Sequence, residues 1–356
     1  MRSSPQRRFT VLKIQSDHGA KVVLETGSDV VWAVAFHPDG IHVFGGTSSE
    51  IRRWRLSVGE EVGKQTGMNM NAISLSMDHR CVVCGHARGA SVWDAEIRGK
   101  LVEVESGEHV YAVDVAPDCT RFATGTRGTK ASIWSITTGQ RLVGPLELGG
   151  DVDAIKFSPD GGRIAIIYYS SSESGIQIFN SRDGDKLIFI ENSLPPFNLL
   201  TLLAWSMDSQ QLFAISTGRK IKSFDSSTGS QLAEWQIHEN NDDDPMSIAL
   251  ASNNTFIASC SGRSVSFWDT STHSQIGIVE DTEKMRSIAL SPDGGRLVAG
   301  SSESGRIIIW DLSGILPQSY LSTNVSTRFL ISRIPFIHRF SFPHACEILV
   351  RLDPRT

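Results

Sequence analysis

Seven turns built on Asp or Asn recur along this chain, at Asp39, Asp78, Asp118, Asp160, Asp208, Asn253 and Asp293. That recurrence restricts the fold more than any other feature, because a unit repeated at a fixed period buries its apolar surface only by stacking on its neighbours. Each turn ends a short apolar run. The fullest forms are Val34-Ala35-Phe36-His37-Pro38-Asp39-Gly40, Ile155-Lys156-Phe157-Ser158-Pro159-Asp160-Gly161 and Ile288-Ala289-Leu290-Ser291-Pro292-Asp293-Gly294, which read as strand, tight turn, strand. Between 15 and 19 residues after each turn stands an aromatic: Trp54, Trp93, Trp134, Phe179, Phe224, Trp268 and Trp310. Asp follows it at Asp94, Asp225, Asp269 and Asp311, and the mean period is about 43 residues.

Beyond most of the aromatics comes a further turn and a polar-apolar pair, as in Thr138-Gly139-Gln140-Arg141-Leu142-Val143 and Asp183-Gly184-Asp185-Lys186-Leu187-Ile188. Each repeat is therefore expected to supply four short strands. Through these phased copies the chain resembles the WD40-repeat family over roughly residues 11 to 316, and is similar to fungal WD40 repeat-like proteins. The resemblance implies an all-β fold, a seven-bladed WD40-type β-propeller. Residues 1–10 read as a disordered leader, 11–316 as the propeller, and 317–356 as a basic, aromatic tail without a blade pattern.

The outermost-strand pattern also occurs once before the first repeat, at His18-Gly19-Ala20-Lys21-Val22-Val23-Leu24, with no partner in its own copy. After Trp310 the chain runs into Pro317, which would remove a ladder hydrogen bond. Lys21 to Leu24 is thus expected to complete the last blade and remove the open edges of the ring. The chain after Pro317 is expected to add little to stability.

Two departures from the family stand out. The family's Asp six residues before the Trp is replaced by Ser48, Ala87, Gly128, Glu173, Gly218, Gly262 and Ser304, so the Asp-His-Ser/Thr-Trp network cannot form. Arg53 also interrupts a column otherwise held by Val92, Ile133, Ile178, Ser223, Phe267 and Ile309, and is expected to pair with an acid or to reach solvent.

Searching for chemistry returns little. Cys81, Cys84 and His86 invite a metal reading, but residues three apart on a strand point to opposite faces, so small core residues are favoured. Asp242-Asp243-Asp244 lacks the alternation of a calcium loop. His37 and His79 fall beside exposed turns. No phosphate loop, nucleophile elbow or zinc-protease helix is found. The reading is of no catalytic residues, no metal ligands and no cofactor. A net charge of −5 argues against a phosphate-backbone binder. Five scattered cysteines do not make a secreted disulfide framework, and no apolar run reaches membrane-span length. Location in the cytoplasm is expected, with the nucleus as the alternative.

The resemblance implies a non-enzymatic scaffold or adaptor that presents a propeller rim to protein or peptide partners. The alternatives are an enzyme or enzyme subunit using the central channel, and a binder of lipid or nucleic-acid surfaces. Counting back from each turn places Trp32, Tyr111, His109, Lys284 and Arg286 on one aromatic and cationic arc of the mouth, and Asp151, Asp153 and Asp244 on an acidic one. These are the expected partner-binding residues, with Trp32 and Tyr111 as apolar anchors.

Overall fold

The computed structural model describes residues 12–16, 19–27, 30–66, 70–170, 174–191, 202–237 and 245–321. Their strands form seven antiparallel sheets, six of four strands and one of five, arranged as the blades of a propeller. The only helical elements among the described residues are two single 3-10 turns, Leu312–Gly314 and Gln318–Tyr320. Blade one runs from the inner strand Val31–Phe36 to the outer strand Glu60–Thr66, and the later blades follow in chain order.

Burial is deepest in the second and third strands of each blade and lowest in the outer one. The second strand of blade six, Phe256–Ser261, is buried at every position. The outer strands Lys100–Glu105, Lys186–Glu191 and Gln231–Gln236 bury one residue each. The inner strands mix apolar residues with polar ones, as in Met70-Asn71-Ala72-Ile73-Ser74-Leu75 and Met285-Arg286-Ser287-Ile288-Ala289-Leu290.

All seven turns share one geometry. The Asp or Asn Oδ1 accepts the amide two residues on, from Ile41, Arg80, Thr120, Gly162, Gln210, Thr255 and Gly295, at 2.7–3.1 Å. The residue after it is left-handed in every blade: Gly40, His79, Cys119, Gly161, Ser209, Asn254 and Gly294. Side-chain capping of the backbone is what makes Asp or Asn obligatory here while glycine is needed less strictly. The Asp after the aromatic does the same for the next turn, as Asp94 accepts from Glu96 N and Asp311 from Ser313 N.

The ring closes as expected. Gly19–Glu25 pairs with the third strand of blade seven in the register Lys21↔Trp310, Val22↔Ile309, Val23↔Ile308, Leu24↔Ile307 and Glu25↔Arg306. Unforeseen is a fifth strand, Leu12–Ser16, which folds back on it as a hairpin. Lys21 Nζ also pairs with Asp281, whose side chain is 2% exposed.

Neighbouring blades are laced along the channel by side chains that meet backbone groups across the seam. Ser74 Oγ accepts Val115 N, Asp114 Oδ2 accepts Phe157 N, Ser247 Oγ accepts Ile288 N and Ser287 Oγ accepts Val34 N. Trp205 Nε1 donates to Lys156 O. An inner strand has a free ladder edge, and these bonds satisfy part of it. Close approach between blades relies on small residues. A Cβ on Gly125 would sit 2.3 Å from Val152 Cγ1, and one on Gly85 would sit 2.8 Å from Val110 Cγ1.

The family's hydrogen-bond network survives as a fragment. Trp134 Nε1 donates to Thr124 Oγ1 at 2.8 Å, Trp268 Nε1 to Ser259 Oγ at 3.0 Å and Trp93 Nε1 to Ser91 Oγ at 2.8 Å. The buried indole nitrogen needs a partner whether or not Asp and His are present. Arg53 is half-buried: its guanidinium lies 5.9 Å from the Phe44 ring centre and its Nε has no hydrogen-bond partner. The acid pairing falls instead on buried Arg52, which contacts Glu50 and Glu61.

Past residue 316 the described chain turns onto blade six. Tyr320 Oη donates to Asp269 Oδ2 at 2.6 Å, Asn253 Nδ2 donates to Tyr320 O, and Leu316 and Leu321 are buried. The expectation that everything after Pro317 contributes little is therefore wrong for this first segment.

Candidate functional site

The inner strands begin at one end of the channel, and the candidate rim residues sit there because the repeat places them just before or within the first three positions of each strand. Trp32 and Arg286 belong to adjacent blades, one and seven. The Arg286 guanidinium stacks over the Trp32 ring at 4.3 Å, both side chains being half-buried. Burial lowers the Arg286 pKa. Two residues that the sequence placed on one arc are thus in direct contact across the seam.

In blade three, His109 and Tyr111 stack with ring centres 6.2 Å apart and planes 19° from parallel, and His109 is exposed. The sequence reading missed Arg127. Its guanidinium lies 5.6 Å from the Tyr111 ring centre, and its Nε is 3.5 Å from Asp151 Oδ2 of blade four. The signal was available, since Arg127 sits in the loop between second and third strands, as do Arg219 and Arg263. The aromatic and acidic arcs therefore meet through a bridging cation. Asp153 is pushed up to about 6 by burial and then by repulsion from Asp151, with Arg127 opposing.

Lys284 donates its backbone N–H to Glu303 Oε2 at 3.4 Å and stands at the head of blade seven's inner strand. Asp244 lies outside the described residues. Inside the mouth a cavity of about 60 Å³ is lined by Ala33, Asn71, Ala112, Ala154, Lys156 and Ser287, among others. Lys156 reaches Asp114 at 2.7 Å. The space is on the scale of a few water molecules.

Away from the rim, Cys81 and Cys84 are buried, and burial pushes both thiols up. His86 pairs with Glu103 at 3.0 Å. His37 contradicts its expected exposed setting: it is 4% exposed, and burial lowers its pKa against the opposing pull of Asp39. Against burial, hydrogen bonds from the His42 side chain and the Ile41 and His42 amides hold the Asp39 carboxyl well below the usual range.

Comparison with known proteins bears on the whole ring. A family model described as "Outer membrane protein assembly factor BamB" matches residues 52–314, and "WD domain, G-beta repeat" matches residues 20–55. The second match starts in the closing strand and ends in blade one's third strand, so the sequence repeat is offset from the blade by one strand. The eukaryotic translation initiation factor 3 subunit I of Candida albicans is 23% identical over 61% of this chain and 67% of its own length. Protein HIR1 of Kluyveromyces lactis is 24% identical over 58% of this chain, and only 28% of that protein is spanned. Among solved structures, the β-propeller domain of Myceliophteria thermophila Cps50 (Swd1) superposes with a TM-score of 0.68 at 18% identity, covering 81% of this chain and 99% of that domain.

Proposed function

This chain belongs to the WD40-repeat family of β-propellers, and we propose that it acts as a non-enzymatic scaffold whose channel rim binds protein or peptide partners. The observation that carries this reading is the Arg286–Trp32 stack at the mouth, continued on the far side by Tyr111, Arg127 and Asp151. Large aromatics and Arg are the residue types enriched at binding hot spots, and these are held in place by packing before any partner arrives. Mixed charge around aromatic anchors suits a partner segment bearing both acidic and basic groups. Trp32, His109, Tyr111, Lys284 and Arg286 would meet its acidic and apolar parts, and Asp151, Asp153 and Asp244 its basic ones.

The relatives' names support an assembly role, one being a subunit of an initiation factor. No helix among the described residues is long and apolar enough to cross a membrane. A cytoplasmic or nuclear setting fits this proposal. The test is Trp32→Ala combined with Arg286→Glu. The double variant should keep the wild-type circular dichroism melt and lose the partners captured by wild type, at about 1–3 kcal/mol per anchor. Undiminished capture by a folded double variant would refute the assignment.

A further inference from the structure

We propose that His37, Asp39 and His42 form a binding site for a divalent transition-metal ion, zinc being the best fit, on the face opposite the rim. The three residues share the turn between the first two strands of blade one, at the other end of the strand that carries Trp32. Asp39 Oδ2 lies 3.0 Å from His37 Nδ1 and 2.7 Å from His42 Nδ1, and one donor atom of each residue falls within 4.8 Å of the other two.

The other blades show what this turn needs for folding alone. Ser76, Ser158, Ser206 and Ser291 occupy the position of His37, and each hydroxyl accepts the amide five residues on. Arg121, Arg163 and Arg296 occupy the position of His42 and reach carbonyls of the next blade. Blade one replaces both roles with imidazoles that converge on one carboxylate oxygen.

His37 fits poorly without a cation. Its Nδ1 lies 3.3 Å from Asp39 N and 3.0 Å from Asp39 Oδ2, so the same atom faces a donor and an acceptor. With the proton on Nε2, the Nδ1 lone pair points at a carboxylate oxygen. With the proton on Nδ1, Nε2 is a buried lone pair, and the structure gives Nε2 no hydrogen-bond partner. A cation between Nδ1 of His37, Nδ1 of His42 and Oδ2 of Asp39 turns the repulsion of the first arrangement into coordination, with Nε2 keeping its proton and still lacking a hydrogen-bond partner. His79, packed edge-to-face on His37 at 4.9 Å from blade two, is the neighbouring ring.

Asp39 is already oriented for this role. Its Oδ1 accepts from the Ile41 and His42 amides, which leaves Oδ2 as the metal-facing oxygen. Two imidazoles and one carboxylate are a donor set that zinc takes up at about 2.0–2.2 Å per ligand. Tetrahedral ligands at that distance stand about 3.4 Å from one another, so binding would part Asp39 Oδ2 slightly from the two imidazole nitrogens, now 3.0 and 2.7 Å away, and leave a fourth position for water.

The sister blades also supply test variants that keep the turn. Asn253 makes the same cap in blade six, so Asp39→Asn should fold. His37→Ser and His42→Arg copy residues that other blades use. Zinc chloride would be titrated calorimetrically into the untagged full-length chain and into each variant, with the cobalt(II) absorption spectrum as a second readout. Wild type should bind one equivalent at this site, with imidazole-type cobalt bands, and each variant should weaken that binding by roughly 100-fold. Absence of saturable zinc binding by wild type, or equal binding by all three variants, would overturn the proposal.

Discussion

Leu24→Ala tests whether the N-terminal strand holds the ring shut. Leu24 is 2% exposed and belongs to one cluster with Val31, Val34, Val43, Trp54, Ile307 and Ile309, which spans blade seven and blade one. Removing three buried carbons at about 0.8 kcal/mol each costs about 2.4 kcal/mol, and incomplete collapse of the cavity brings the total to about 3 kcal/mol. For a domain of this size that is a fall in Tm of about 5 °C. Urea unfolding followed by tryptophan fluorescence should show the midpoint drop with an unchanged slope. Leu101→Ala is the control: it removes the same atoms from the outer strand of blade two, where the side chain is 56% exposed, and should cost no more than about 0.5 kcal/mol. If Leu24→Ala and Leu101→Ala behaved alike, the N-terminal strand would not be part of the cooperative ring.

Other outcomes follow from the same structure. Asp153, with its pKa raised to about 6 from the ordinary 3.8, binds its proton more tightly when folded, so its contribution is fully present below about pH 4 and is lost as pH rises toward 6. Asp153→Asn should therefore match wild type near pH 4 and exceed it by about 2 kcal/mol at pH 7, measured by urea unfolding at both values. Tyr320→Phe removes a hydrogen bond to the buried Asp269 carboxylate and should lower stability by about 1–2 kcal/mol, whereas an unchanged midpoint would show that the 318–321 segment is not docked. Gly125→Ala forces a Cβ to 2.3 Å from Val152 and should cost about 1–3 kcal/mol at the seam of blades three and four; a neutral result in thermal melts would mean that this seam is loose.

How much of the molecule could be read beforehand depends on how local its cause is. The turn Asp39 and its counterparts cap their own backbone amides within two residues, so their recurrence was visible as sequence, and with it the blade number, the strand order and the N-terminal closure. The rim was visible only in part. Trp32 and Arg286 could be phased onto one face, but their contact comes from two strands about 250 positions apart that meet because the ring closes. Arg127 lies in a loop whose direction the repeat pattern leaves open, and its bridge from Tyr111 to Asp151 depends on the angle between blades three and four. Arg53 and Arg52 are neighbours in sequence and opposite in environment, because adjacent strand residues face different blades and only the packed neighbour decides which one meets an acid. The histidines show the same limit most sharply. His37 and His42 depart in the sequence from the serine and arginine of other turns, and their approach to Asp39 is local to that turn, but the burial of His37, with the His79 ring of blade two packed against it, belongs to the assembled ring. Local hydrogen bonding and the apolar period determined the propeller from sequence alone. Contacts between blades, and the chemistry they make, were decided by tertiary structure, since desolvation and pairing across a seam have no counterpart in the order of residues along the chain.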